Sequence, residues 1–139
     1  MPTAGGRSKG PATNVADVDD TRLLRSSVMD SLDKAAKALR AEYPSAHISA
    51  HSYESDAYAL CANLSVILGD PADADEDAVI SVNVTRDLAS VTADVSRGDG
   101  EVLSEREHQR VDAEVVRDID AFLASALETV RHVLHETAP

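Results

Sequence analysis

Ile80-Ser81-Val82-Asn83-Val84, followed after the four residues Thr85 to Leu88 by Ala89-Ser90-Val91-Thr92-Ala93-Asp94-Val95, decides the fold. Apolar and polar residues alternate in both halves, and a period of two gives a strand one greasy face and one wet face. So short a connection makes the two strands an antiparallel hairpin. A sheet with one solvated side is antiparallel rather than parallel. Working outward towards the N-terminus, Tyr58, Leu60, Ala62, Leu64 and Val66 fall at i, i+2, i+4 and predict another strand. A helix over 55–69 competes with it, because Leu60, Leu64, Ile67 and Leu68 also fit 3.6 spacing. His47 to Tyr53 alternates only loosely.

Helical spacing frames this sheet. Leu24, Val28, Leu32, Ala35 and Leu39 recur every three or four residues, one stripe of an amphipathic helix. Asp20 or Thr21 would cap its start, and Pro44 stops it, since the residue before a proline is pushed out of the α region. Residues 1–18, rich in Gly, Pro, Ala, Ser and Thr, read as a disordered arm, and 19–139 as a single domain. Beyond the hairpin, Arg97-Gly98-Asp99-Gly100 reads as a turn and Glu101-Val102-Leu103 as a short edge strand. Ser104-Glu105-Arg106-Glu107 has the form of a capping box, whose Ser and Glu satisfy two orphan amides. A helix of about 30 residues, roughly 45 Å long, would run from there to His135. Its stripe is Val116, Ile119, Leu123, Ala126, Val130 and Val133. Such a helix outreaches one sheet face, so the stripe is expected to support a homodimer, with cover inside the chain as the plainer reading. The fold expected is therefore α+β in two layers: an N-terminal helix, an antiparallel sheet of three to five strands and a long C-terminal helix.

Composition narrows function by exclusion. The 139 residues carry 13 Lys and Arg against 25 Asp and Glu, a net charge of −12. Nucleic-acid and anionic-membrane surfaces need clustered cations to replace counterions, so neither is expected as a partner. Cys61 is the only cysteine, which excludes an intramolecular disulfide. No apolar run suits a signal peptide or a membrane span, and a cytoplasmic location is the default expectation. Charge is uneven: residues 21–40 hold five cations and two carboxylates, whereas 41–100 hold two cations and eleven carboxylates. The first helix is thus a cationic element in an anionic protein, and a cationic partner would be steered to the sheet region.

Candidate chemistry is sparse. Asp73, Asp75 and Asp77 alternate like the first half of a calcium loop, but Ala78 stands where that loop needs Gly and Val84 where it needs Glu. A solvated loop is the expectation there. Glu128, His132 and His135 could share a helix face, as zinc ligands do, yet imidazoles near a helix C-terminus are favoured by the macrodipole alone. His47 and His51, four apart on a strand, lie about 13 Å apart and cannot share a metal. Asp87, Asp94 and Asp99 with His108 have no diagnostic spacing as an acid–base set. Neither a nucleophile elbow nor a phosphate loop can be written in the chain. Cys61, among Ala59, Leu60 and Ala62, reads as a buried small residue, and Tyr53 and Tyr58 as core residues more than as partner anchors.

No metal site and no cofactor is therefore expected. In size, acidity and helix–sheet–helix layout the chain resembles small acidic secretion chaperones and toxin-neutralising immunity proteins, a likeness of layout that involves no motif. The expected function is a non-catalytic protein-interaction module, an inhibitor, immunity factor or chaperone, presenting Glu54, Asp56, Asp73, Asp75, Asp77 and Asp94 to a cationic protein partner. A small metal- or ligand-dependent enzyme using Asp and His groups, and a structural subunit of a larger assembly, are the alternatives.

Overall fold

The alternation at 80–95 becomes a β-hairpin, and three further strands extend it. A computed structural model describes the backbone of residues 13–72 and 75–137, with side chains from Asp20 onward. In chain order the elements are α1 (Thr13–Glu42), β1 (His47–Tyr53), β2 (Tyr58–Ile67), β3 (Ala78–Thr85), β4 (Val91–Arg97), β5 (Val102–His108) and α2 (Ala113–Thr137). The strands form one antiparallel meander in the order β1-β2-β3-β4-β5. The fold is α+β, with two helices beside a five-stranded sheet. The helix weighed for 55–69 is absent, because β2 pairs along its length with strands on both sides.

Both helices cover the same sheet face, α1 over β1 and β2, α2 over β3, β4 and β5. They run parallel to one another. Asp120 of α2 accepts hydrogen bonds from Ser27 and Ser31 of α1, the latter at 2.7 Å, and eleven residues further along each helix Arg131 donates to Glu42 at 2.6 Å. Between the layers lies one core. Leu24, Val28, Leu32 and Leu39 meet Leu60, Leu64, Val66, Ile80, Val82 and Val84, all at most 1% exposed. Each such side chain contributes about 1.5–3 kcal/mol relative to its exposed state.

Several expectations need correction. Helix α1 begins at Thr13, ahead of the caps read at Asp20 and Thr21. Between Pro11 and Pro44 no Gly or Pro interrupts the chain, and nothing local forces a later start. The expected arm therefore yields 13–18 to the helix, and its remaining residues, 1–12, lie outside the described ones. Ser104 to Glu107 is not a helix cap but the middle of β5, paired to β4. Residues 104–110 contain no apolar side chain, so a helix there would bury nothing, whereas a strand completes the β4 ladder. The cap is Asp112, whose carboxylate accepts the Val115 N–H at 2.9 Å. At 25 residues α2 is about 37 Å long, and its stripe is covered by its own chain. Ile119, Leu123, Ala126, Val130 and Val133 are buried and Val116 half-buried, so the surplus length that argued for a dimer through this helix does not exist. Tyr53 and Tyr58 are not core residues, being 55% and 38% exposed at the β1–β2 turn.

Candidate functional site

The alternation that builds the core on one face leaves the other face of the sheet for everything polar. No described element covers it. Cross-strand register arranges its side chains in rows. One row reads His51, Asn63, Ser81, Asp94, Glu105, the next Tyr53, Cys61, Asn83, Thr92, Glu107, and a third Ser49, Ser65, Val79, Ser96. Small uncharged side chains fill its centre, and carboxylates gather towards β4 and β5. No Lys or Arg of the five strands joins them. Arg106 reaches to the helix side, pairing with Asp118 at 3.3 Å and lying 5.7 Å over the Phe122 ring, and Arg97 pairs with Glu136 of α2 at 3.1 Å.

Asp94 and Glu105 are opposite one another in the β4–β5 register. Thr85 N–H donates to the Ser90 carbonyl at 3.1 Å, which sets the phase of the β3–β4 ladder and turns the Asp94 backbone towards β3. Asp94 and Glu105 are then a non-hydrogen-bonded pair, the closer kind, with Cα atoms about 4.5 Å apart. Partial burial pushes the Asp94 carboxyl above the usual range, and the neighbouring Glu105 charge adds to the effect. Like charges directly opposite on a sheet are destabilising. Here two carboxylates are held together, one of them half-buried, with no Lys or Arg of the described residues on their face. Sequence reading missed Glu105 because the capping box assigned it to a helix terminus; the lack of any apolar residue in 104–110 was the available signal.

The other acidic residues singled out from sequence are not brought together. Glu54 and Asp56 lie in the β1–β2 turn, where Glu54 pairs with Arg25 at 3.5 Å and Arg86 at 3.1 Å. Asp75 and Asp77 lie at the opposite end of the sheet, before β3, and Asp77 accepts the Leu68 N–H at 2.7 Å. Asp73 lies outside the described residues. Of the five that are described, Asp94 alone sits on the open face. Glu76, beside Asp77, caps that face at one corner by accepting the Ser65 hydroxyl. Cys61 is buried on the open-face side, between Tyr53 and Asn83.

Groups that enzymatic chemistry would use are dispersed. Asp87 and Asp99 occupy turns at opposite ends, Asp94 faces out, and His108 turns inward to Asp118 at 2.6 Å. His47 and His51 are both exposed on edge strand β1, and His132 meets only the i+4 carboxylate of Glu136, 3.7 Å away. Among the described residues no group of three or more His, Cys, Asp or Glu is placed to hold a metal ion. Two adjoining hollows of about 480 and 350 Å³ follow the α1–α2 seam over Leu23, Val116 and Leu127. Of their two carboxylates, Asp120 is already bonded to Ser27 and Ser31, Asp30 lines the first hollow beside Lys34, and no histidine lines either. Among the described residues no helix is long and apolar enough to cross a membrane. No protein-family model matches the chain, and neither the curated proteins nor the solved structures include a match to it.

Proposed function

We propose that the protein is a non-catalytic, cytoplasmic interaction module that binds a cationic protein partner on the open face of its sheet. The observation that carries this reading is the Asp94–Glu105 pair, two carboxylates opposed across β4 and β5 on a face where the described residues place no Lys or Arg. A guanidinium or ammonium group laid between them would replace repulsion with two charge-assisted hydrogen bonds. The surrounding Asn63, Ser81, Asn83 and Thr92 offer donors and acceptors to a flat polar contact, in keeping with an inhibitor, immunity or chaperone role.

A short oligo-arginine peptide serves as the probe, with backbone amide shifts as the readout. The expected shifts fall on β3, β4 and β5, weaken steeply with added salt, and largely vanish in the Asp94→Asn/Glu105→Gln double variant. Shifts confined to the 54–57 or 70–77 turns, or an affinity indifferent to salt, would overturn the reading.

A further inference from the structure

The two edges of the sheet are built differently. On β5 the outer edge carries Glu105, Arg106 and Glu107, and a register shift interrupts its pairing between Val95 and Ser96. Charges and bulges of this kind keep foreign strands off an edge. On β1, His-Ile-Ser-Ala-His-Ser-Tyr contains no Asp, Glu, Lys, Arg, Gly or Pro, and its seven pairs with β2 run without a break. The Arg40 guanidinium donates to the Ile48 carbonyl, from Nη2 at 2.9 Å and Nε at 3.3 Å, so that carbonyl points away from β2. Strand alternation then places the backbone N–H and C=O of Ala50 and Ser52 on the same free edge. Unpaired strand groups of this kind are completed by another extended strand.

We propose that this strand is β1 of a second copy, paired antiparallel about a two-fold axis at Ala50, which joins two sheets into one of ten strands. In that register all seven residues find partners. His47 lies opposite Tyr53, Ile48 opposite Ser52, Ser49 opposite His51, and Ala50 meets itself at the axis. Inward residues meet inward ones, so both core faces stay on one side. No like charges are opposed along the seam, although each chain carries −12. At its ends Arg40, which caps Ile48, comes beside Ser52 of the second copy, two residues from that copy's Glu54, a carboxylate that Arg25 and Arg86 of its own chain also hold. The Ile48 carbonyl has a second lone pair for the incoming Ser52 N–H, so Arg40 need not leave. Neither the Asp94–Glu105 face nor the cationic partner enters this argument.

Light scattering on the full chain tests it. The expected mass is twice the 14.7 kDa of one chain. Ala50→Pro and Ser52→Pro each remove an N–H that serves the free edge and leave the β1–β2 ladder intact, a place where strands tolerate proline. Both variants are expected to halve the mass with the far-UV circular dichroism unchanged. If Ala50→Pro unfolds the chain, Ser52→Pro, at the exposed end of β1, decides. A single-chain mass for the native protein at high micromolar concentration overturns the proposal, and so does a doubled mass that persists in a folded proline variant. Oligo-arginine binding is read separately by amide shifts, so the loss of either result leaves the other standing.

Discussion

Replacing Asp94 by Asn is expected to stabilise the free protein at neutral pH. Charges about 5 Å apart repel by roughly 0.8 kcal/mol in water and by about 3 kcal/mol at the effective dielectric of a protein surface. Asp94 is only half-buried, which places the pair near the weaker limit. Like charges opposed across strands act within about 0.2–1 kcal/mol. The amide keeps the shape of the carboxylate and exchanges one acceptor oxygen for N–H donors, so the expected gain is about 0.5–1 kcal/mol, or roughly 2–5 °C in Tm for a domain of this size. The pH dependence has a definite sign. A carboxyl whose folded pKa is raised imposes its penalty in full above that pKa, and sheds it as pH falls through it towards the unfolded value. The advantage of the Asp94→Asn variant is therefore complete at neutral pH and gone below about pH 3. Thermal unfolding followed by circular dichroism at both pH values measures it. A lower Tm for Asp94→Asn at neutral pH, or a gain that persists unchanged in acid, would refute the reasoning.

Glycine at 98 and at 100 should respond differently to alanine. A Cβ on Gly98 would fall 1.5 Å from the Glu76 carbonyl oxygen, so the β4–β5 turn and the loop before β3 must part; Gly98→Ala is expected to cost about 1–3 kcal/mol or more by urea denaturation. Gly100 has open space around it and only its φ of +96° to resist a side chain, so Gly100→Ala costs less, about 1 kcal/mol. Asp112→Ala removes the cap of α2, and faster amide hydrogen exchange at Val115 is the expected sign. The Val115 N–H and then the Arg110 guanidinium hold the Asp112 carboxyl below the usual range, so its contribution is present above the unfolded pKa and lost as pH falls through the folded one. Native and variant proteins should therefore converge in strong acid.

Regular alternation made the sheet legible wherever burial was one-sided. Residues 80–84 and 91–95 could be placed because each apolar residue faces the helices and each polar one faces solvent. The 58–67 segment was ambiguous for a physical reason: Cys61 and Ser65 are buried on the open face as well, Ser65 beneath Glu76, and extra apolar or small positions blur a period of two into one of 3.6. At β5 a local motif misled. Ser104 and Glu107 have the spacing of a capping box, an interaction of about 1 kcal/mol, but the paired strand satisfies a ladder of backbone groups that the motif says nothing about. The charge patch was half legible. Counting carboxylates found the acidic region, but proximity in sequence put Asp75 and Asp77 with Asp94, whereas register puts Glu105 there.

That register carries a consequence for stability and binding together. Cations are not scarce near β4 and β5: Arg97 and Arg106 both lie on these strands, and both engage carboxylates of α2 on the helix side. Among the described residues the open face is left with uncompensated charge that the free fold would be more stable without. A cation supplied from outside reverses the sign, since the field that repels Glu105 from Asp94 attracts it. Asp94 should therefore destabilise the free chain and strengthen its complex. If the open face is merely solvated, Asp94→Asn raises Tm and leaves oligo-arginine binding unchanged. If it is a docking surface, the same substitution raises Tm and weakens binding, with both effects fading as salt screens the pair. Measuring the two quantities on one variant, across one salt series, separates a face that recognises a cation from one that only faces water.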